Sequence, residues 1–98
     1  MPRAFVYFMT NKANGVLYIG VTNDVARRAL EHREGLLPGF TKRYGLKRLV
    51  HVEAFDSILD AIQREKNIKH WPRAWKIRLI LAANPTWRDL YDDLAALL

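Results

Sequence analysis

Apolar residues along the chain gather into short blocks separated by turn formers. Ala4–Met9 is apolar, aromatic and β-branched, the signature of a buried strand. Thr10-Asn-Lys-Ala-Asn-Gly15 is dense in turn residues, and Asn14-Gly15 is a strong turn pair. Val16–Val21 follows as a second strand, so the two blocks predict a β-hairpin. Thr22, Asn23 or Asp24 caps a helix running to about Glu34, which Gly35 ends. Residues 35–46 hold Gly35, Pro38, Gly39 and Gly45 and read as a loop. Leu49–Phe55 alternates in part and suits a third strand. Asp56 or Ser57 caps the next helix, with Ile58, Ala61, Ile62, Glu65 and Ile68 near one stripe. Pro72 stops that helix near Trp71 and opens another, whose apolar face is Trp75, Leu79, Ile80 and Ala83. Asn84-Pro85 breaks again, and Thr86 caps a last helix ending in Leu97-Leu98. The order is ββαβααα, an α+β fold in one domain over residues 1–98, with helices packed on three strands.

Composition narrows the class. Half of the 98 residues are hydrophobic, enough for one core and too many for a disordered chain. Cysteine is absent, which removes disulfides, Cys-based zinc, iron–sulfur clusters and a thiol nucleophile, and fits a reducing compartment. Ala4–Met9, the longest apolar run near the start, is six residues and too short for a membrane span or a signal-peptide core. These features predict a cytoplasmic protein with no membrane partner. The formal net charge is +6, but residues 84–98 contribute −2, so residues 1–83 hold +8. The cations cluster at Arg27-Arg28 with Arg33, at Lys42-Arg43 with Lys47-Arg48, and from Arg64 to Arg78. Such a field attracts polyanions, nucleic acid above all. By charge alone it equally describes a solubilising surface.

Three polar features ask for chemistry. Glu65 shares the face of Ile58 and Ile62, where a carboxylate leaving water needs a cationic partner, a metal ion, or a place at the wet margin of the stripe. Arg28 and His32 lie four apart on one helix face. A phosphate between them would relieve their repulsion, as would Glu31 or Glu34 on a solvated face. Tyr7 and Tyr18 share a face of the hairpin only if paired residue numbers sum to an odd value such as 25. A tyrosine can move protons, although its ordinary pKa near ~10 makes a poor base at neutral pH. Equally, both could be core tyrosines with satisfied hydroxyls.

Phe5-Val6-Tyr7, ten residues, Tyr18-Ile19-Gly20, then Arg28, His32 and Glu65 together resemble the GIY-YIG nuclease superfamily. The runs Tyr18 to His32 and Ala61 to Lys69, followed by Trp71, carry the resemblance further. Asn84 to Leu90 is similar to the end of small bacterial members, themselves similar to the amino-terminal nuclease module of the excinuclease C subunit. Phe5 stands where the family name has glycine. The resemblance implies a three-stranded antiparallel sheet flanked by helices, and divalent-metal-dependent cleavage of phosphodiesters in DNA, with RNA also open. It implies Tyr7 as general base, Tyr18 positioning the water or a phosphate oxygen, and Arg28 neutralising charge on the phosphorane. It gives His32 a hydrogen bond to Tyr7 or the phosphate. It assigns Mg²⁺ or Mn²⁺ to Glu65 and supporting places to Asn84 and Gly20, the latter also readable as an ordinary strand-end glycine. Lacking an added DNA-binding domain, the chain would draw specificity from itself, a protein partner or a homo-oligomer. The alternative is a non-catalytic nucleic-acid-binding module of the same fold, or an accessory protein docking an acidic partner.

Phe40-Thr-Lys-Arg-Tyr44 interleaves rings with cations. Lys42, Arg43 and Tyr44, extended by Lys47 and Arg48, form a candidate nucleic-acid-binding surface; alternatively Phe40 and Tyr44 plug the core edge. Trp71, Trp75 and Trp87 read as core anchors, His51 and His70 as unpartnered surface residues, and Asp89, Asp92 and Asp93 as a solvated helix face.

Overall fold

The first apolar run becomes the middle strand of a sheet. A computed structural model describes residues 2–94. β1 (Ala4–Thr10) pairs antiparallel with β2 (Leu17–Thr22) on one side and with β3 (Arg48–Phe55) on the other, in the order β2-β1-β3. Every residue of β1 is buried. The strand is apolar at both parities because both of its faces are covered. Ala4, Val6 and Phe8 meet α3 (Ile58–Lys69) and α4 (Arg73–Ala83) on one face; Phe5, Tyr7 and Met9 meet α1 (Val25–Arg33) on the other. Each large apolar side chain fully buried here contributes roughly 1.5–3 kcal/mol.

Local chemistry sets the boundaries. Asn14 at φ +57° makes the hairpin turn, and the Gly15 amide donates to Lys12 O at 2.9 Å. Asp24 caps α1 by accepting from the Arg27 amide, and Ser57 caps α3 by accepting from the Asp60 amide. Gly35, at φ +69°, closes α1: its amide donates to His32 O, while that of Leu36 donates to Glu31 O. That pair of hydrogen bonds is the Schellman ending. In β3 the register slips between the partners of Phe8 and Met9, leaving Val50 unpaired. The bulge lets both Val50 and His51 face α3 and α4.

Several expectations change. The loop after α1 contains a one-turn helix, α2 (Phe40–Arg43). Leu79 and Ile80 of α4 pack on the core as expected and Ile77 joins them, whereas Trp75, 49% exposed, and Ala83 lie outside it. No helix begins at Thr86. Trp87 is buried at φ +56°, the chain returns to the sheet where the Leu90 amide donates to Leu49 O, and a short 3₁₀ turn follows at Tyr91–Asp93. The physical reason is Asp89. It is no solvated residue: Oδ1 accepts from the Leu49 and Tyr91 amides and Oδ2 accepts from Arg33 at 2.7 Å, tying this segment to β3 and α1. Residues 95–98, where the last helix was expected to end, lie outside the described residues. Among the described residues no helix is long and apolar enough to cross a membrane.

Candidate active site

The hairpin register decides whether the two tyrosines meet. Tyr7 pairs with Gly20 and Met9 with Tyr18, numbers that sum to 27, so Tyr7 and Tyr18 share the α1 face. Their ring centroids are 6.2 Å apart, and the His32 ring lies 5.6 Å from each. His32, in the last turn of α1, is 4% exposed and brings Nε2 to 3.0 Å from Tyr7 Oη. Arg28 sits one turn earlier on the same side of α1.

Gly20 has a more specific place than a strand end. A Cβ there would stand 2.7 Å from both Cζ and Oη of Tyr7. The bare glycine is what lets the Tyr7 ring lie across β2 and reach His32.

Burial pushes the Tyr7 phenol above its ordinary value, Tyr18 adds to the shift, and Arg28 pulls against it. Tyr7 is therefore a protonated phenol at neutral pH, no free-standing base. Burial lowers His32 first and the charge of Arg28 lowers it further, against Glu31. A neutral imidazole thus sits hydrogen-bonded to a phenol beside a guanidinium. Among the described residues two buried polar atoms lack a hydrogen-bond partner, Arg28 Nε and His32 Nδ1. Arg28 Nε lies 3.3 Å from Glu31 Oε1 but out of hydrogen-bonding alignment. Both orphans belong to this cluster, and a polar ligand is what would satisfy them.

Glu65 is not brought into the ring cluster. Its neighbours Ala61 and Ile68 pack on the opposite face of the sheet, and its ion pair is with Lys69, at 3.4 Å. Measured around α3 from the midline of Ala61 and Ile68, Arg64 and Glu65 diverge by about 50° to either side. Arg64 reaches Glu53 on β3, so Glu65 occupies the flank turned away from β3, the side of the free edge of β2. The core residues that flank Glu65 on α3 and the Tyr7 cluster lie on opposite faces of the sheet. The Glu65 side chain is 19% exposed and its half-exposed lysine partner is easily released. A single accessible carboxylate of this kind fits Mg²⁺ or Mn²⁺, hard ions that keep several waters. Groups of three or more His, Asp or Glu placed to hold a metal are absent among the described residues.

Lys42, Arg43, Tyr44 and Lys47 are all exposed, whereas Arg48 is tied down by donating to Trp87 O at 3.0 Å. Phe40 and Tyr44 do not plug the core; each is 47% exposed. Asn84 supports the fold rather than the ring cluster: its amide donates to Val50 O and Arg88 O and accepts from the Arg88 amide. His51 is not at the surface. It is buried edge-on to Phe8, with Nε2 2.9 Å from Glu53 Oε2, and Arg64 grips both Glu53 oxygens at 2.8 and 3.1 Å while lying over Trp71. The bulge that turns His51 inward leaves no mark in the residue pattern, but His51 and Glu53, two apart in a strand, could have been read as sharing a face.

Comparison with known proteins decides the family. The GIY-YIG catalytic domain model matches residues 3–78. The chain belongs to the GIY-YIG family, and its domain is nuclease-like. It is 42% identical over 76 residues to a UPF0213 protein of Natronomonas pharaonis, covering 78% of this chain and 88% of that one. A UPF0213 protein of Staphylococcus saprophyticus is 34% identical over 80 residues, 82% of this chain and 96% of that one. The solution structure of a UPF0213 protein from Bacillus halodurans aligns with TM-score 0.52 and 34% identity, over 82% of this GIY-YIG chain and 84% of its own. The three-stranded antiparallel sheet with flanking helices is thus the fold of this family, as its residues implied.

Proposed function

We propose that this GIY-YIG protein is a divalent-metal-dependent endonuclease that hydrolyses phosphodiester bonds in DNA, with branched, flapped or single-stranded DNA as its substrates. The observation that carries the reading is the pair of orphaned buried atoms, Arg28 Nε and His32 Nδ1, around a Tyr7–His32 hydrogen bond. A purely structural cluster would satisfy these groups internally.

The roles are those that the resemblance implies, and the geometry supports them as follows. Tyr7, held protonated by burial, passes its proton to the neutral His32 Nε2 as it takes one from the attacking water. This requires the Nδ1–H tautomer of His32. Tyr18 walls the cluster and offers its hydroxyl to the water or a phosphate oxygen. Arg28 faces the phosphate and stabilises the charge that grows on it. Glu65 would hold Mg²⁺ or Mn²⁺, which when bound would supply charge neutralisation at the leaving oxygen.

Purified protein incubated with labelled single-stranded, duplex and branched DNA, with Mg²⁺ or Mn²⁺ and then with chelator, tests this. Cleavage that needs metal and is lost in Arg28→Ala and Glu65→Ala is expected. Cleavage that survives in those variants would overturn it. The separation of Glu65 from the rings favours the second reading, a nucleic-acid-binding module of the same fold; metal-independent binding without cleavage by the parent protein is its mark.

A further inference from the structure

The segment between α1 and β3 exposes two rings that the fold does not need. Its obligations to the core are met by Thr41, 6% exposed, and Leu46, fully buried, joined where the Leu46 amide donates to Thr41 O at 2.9 Å. Phe40 and Tyr44 are left outside, one turn apart, with ring centroids 4.8 Å from each other. They line a hollow of about 560 Å³ with Pro38, Gly39, Lys42 and Arg43, and the Arg43 guanidinium lies 5.7 Å from the Tyr44 ring centre. Neither Lys42, Arg43 nor Lys47 has an ion-pair partner among the described residues. Leu46, which anchors this segment, packs in the same core cluster as Tyr7 and Tyr18, so the segment is rooted on the ring-cluster side of the sheet. Exposed aromatic faces bordered by unpaired cations suit a ligand that is itself flat, apolar on its faces and joined to anions. That description is an unpaired nucleobase with its flanking phosphates. A paired base shows only its edges and cannot stack there.

We propose that Phe40 and Tyr44 form a stacking platform for one unpaired base, with Lys42, Arg43 and Lys47 holding the adjacent phosphates. The proposal rests on the nucleic-acid substrate argued above and narrows it to strands with an unpaired nucleotide beside the cleavage site.

The test is binding in chelator, where no cleavage occurs, so its outcome is independent of catalysis. Single-stranded oligonucleotides carrying 2-aminopurine, the matching duplexes, and hairpins with a single-stranded tail are the probes. Stacking quenches 2-aminopurine, and the parent protein should quench it in the single strand and the tail. The double variant Phe40→Ala/Tyr44→Ala should abolish the quenching and weaken single-strand binding about tenfold, with duplex affinity unchanged within about twofold. Phe40→Trp/Tyr44→Trp should restore both. Lys42→Ala/Arg43→Ala should weaken all probes alike and flatten the salt dependence by about two phosphate contacts. Thermal unfolding confirms that each variant folds. Equal losses on duplex and single strand, or a single-strand preference that survives the loss of both rings, would overturn the platform. So would a folded parent protein with no affinity for any oligonucleotide. Absent cleavage with the platform intact would count against the nuclease reading alone.

Discussion

The two faces of the sheet carry similar polar groups in opposite states. On the α3 face, His51, Glu53 and Arg64 form a closed chain in which both carboxylate oxygens and the guanidinium are engaged, and Trp71 covers the cation. On the α1 face, Tyr7, His32 and Arg28 are as close, yet two buried atoms are orphaned. A closed polar network stabilises, whereas an open one keeps capacity for a ligand. The α3 face thus holds a polar network closed on itself, whereas the α1 face leaves two buried polar atoms open to a ligand.

Arg28→Ala should break this contrast most visibly. If Arg28 has the phosphate-stabilising role proposed above, its loss is expected to slow single-turnover cleavage by about 10²–10³-fold, or ~3–4 kcal/mol. The thermal midpoint should move by less than about 3 °C, because Arg28 is one-third exposed. Glu53→Gln is the mirror case. It should reduce unfolding free energy by about 2 kcal/mol in urea titrations, since Arg64 and His51 lose their anion, while cleavage per folded molecule stays unchanged. A variant with the reverse profile at either position would erase the distinction.

Gly20→Ala sharpens it at the level of one carbon. The added Cβ meets the Tyr7 ring at 2.7 Å, so either the ring leaves His32 or the hairpin shifts. A destabilisation of ~1–3 kcal/mol and a loss of cleavage should appear together, measured by urea unfolding and by the assay.

Acid titration separates the faces by pH window. The Glu53 carboxyl sits at about 2 against an ordinary 4.5, with burial opposed by the His51 and Arg64 hydrogen bonds. Its folded value is depressed, so its stabilisation is full above 4.5 and disappears as pH falls toward 2, on the order of 2–3 kcal/mol. His32 also has a depressed folded value, but the group is a base: the unfolded chain takes up its proton first, and stability declines as pH falls below 6.5. Cleavage should persist to a pH below 6.5, failing only where folded His32 becomes protonated. A pH–rate profile that falls at or above 6.5 would show that His32 is not the proton acceptor. The smallest effect is Asp24→Ala, which removes the α1 cap at a cost of about 1 kcal/mol with little effect on cleavage.

Three strands, the hairpin turn, both caps and the breaks at Gly35 and Pro72 were legible because each rests on local chemistry: β-branched runs, Asn-Gly, side-chain oxygens at helix starts, and the missing amide of proline. Where non-local contacts compete, local reading failed. Asp89 reads as solvated from the sequence, because nothing nearby along the chain reveals that Leu49 and Arg33 supply its donors. Trp75 fitted an apolar stripe, but Ile77 and Ile80 set the rotation of α4.

The same division holds for the candidate site. Spacing along one hairpin and one helix puts Arg28 with His32 on one face and leaves Tyr7 with Tyr18 as a possibility; it is the resemblance that singles all four out as site residues. The meeting of the two tyrosines depended on a register that the turn alone does not choose, and Gly20 acquired its purpose only once Tyr7 lay over it. Glu65 was identifiable as a carboxylate on a buried stripe, but which side of the sheet that stripe covers is decided by how α1 and α3 divide the two faces of β1. Side-chain types and local periods are written in the chain; the sidedness of elements far apart along it emerges only when both faces of a central strand must be covered at once.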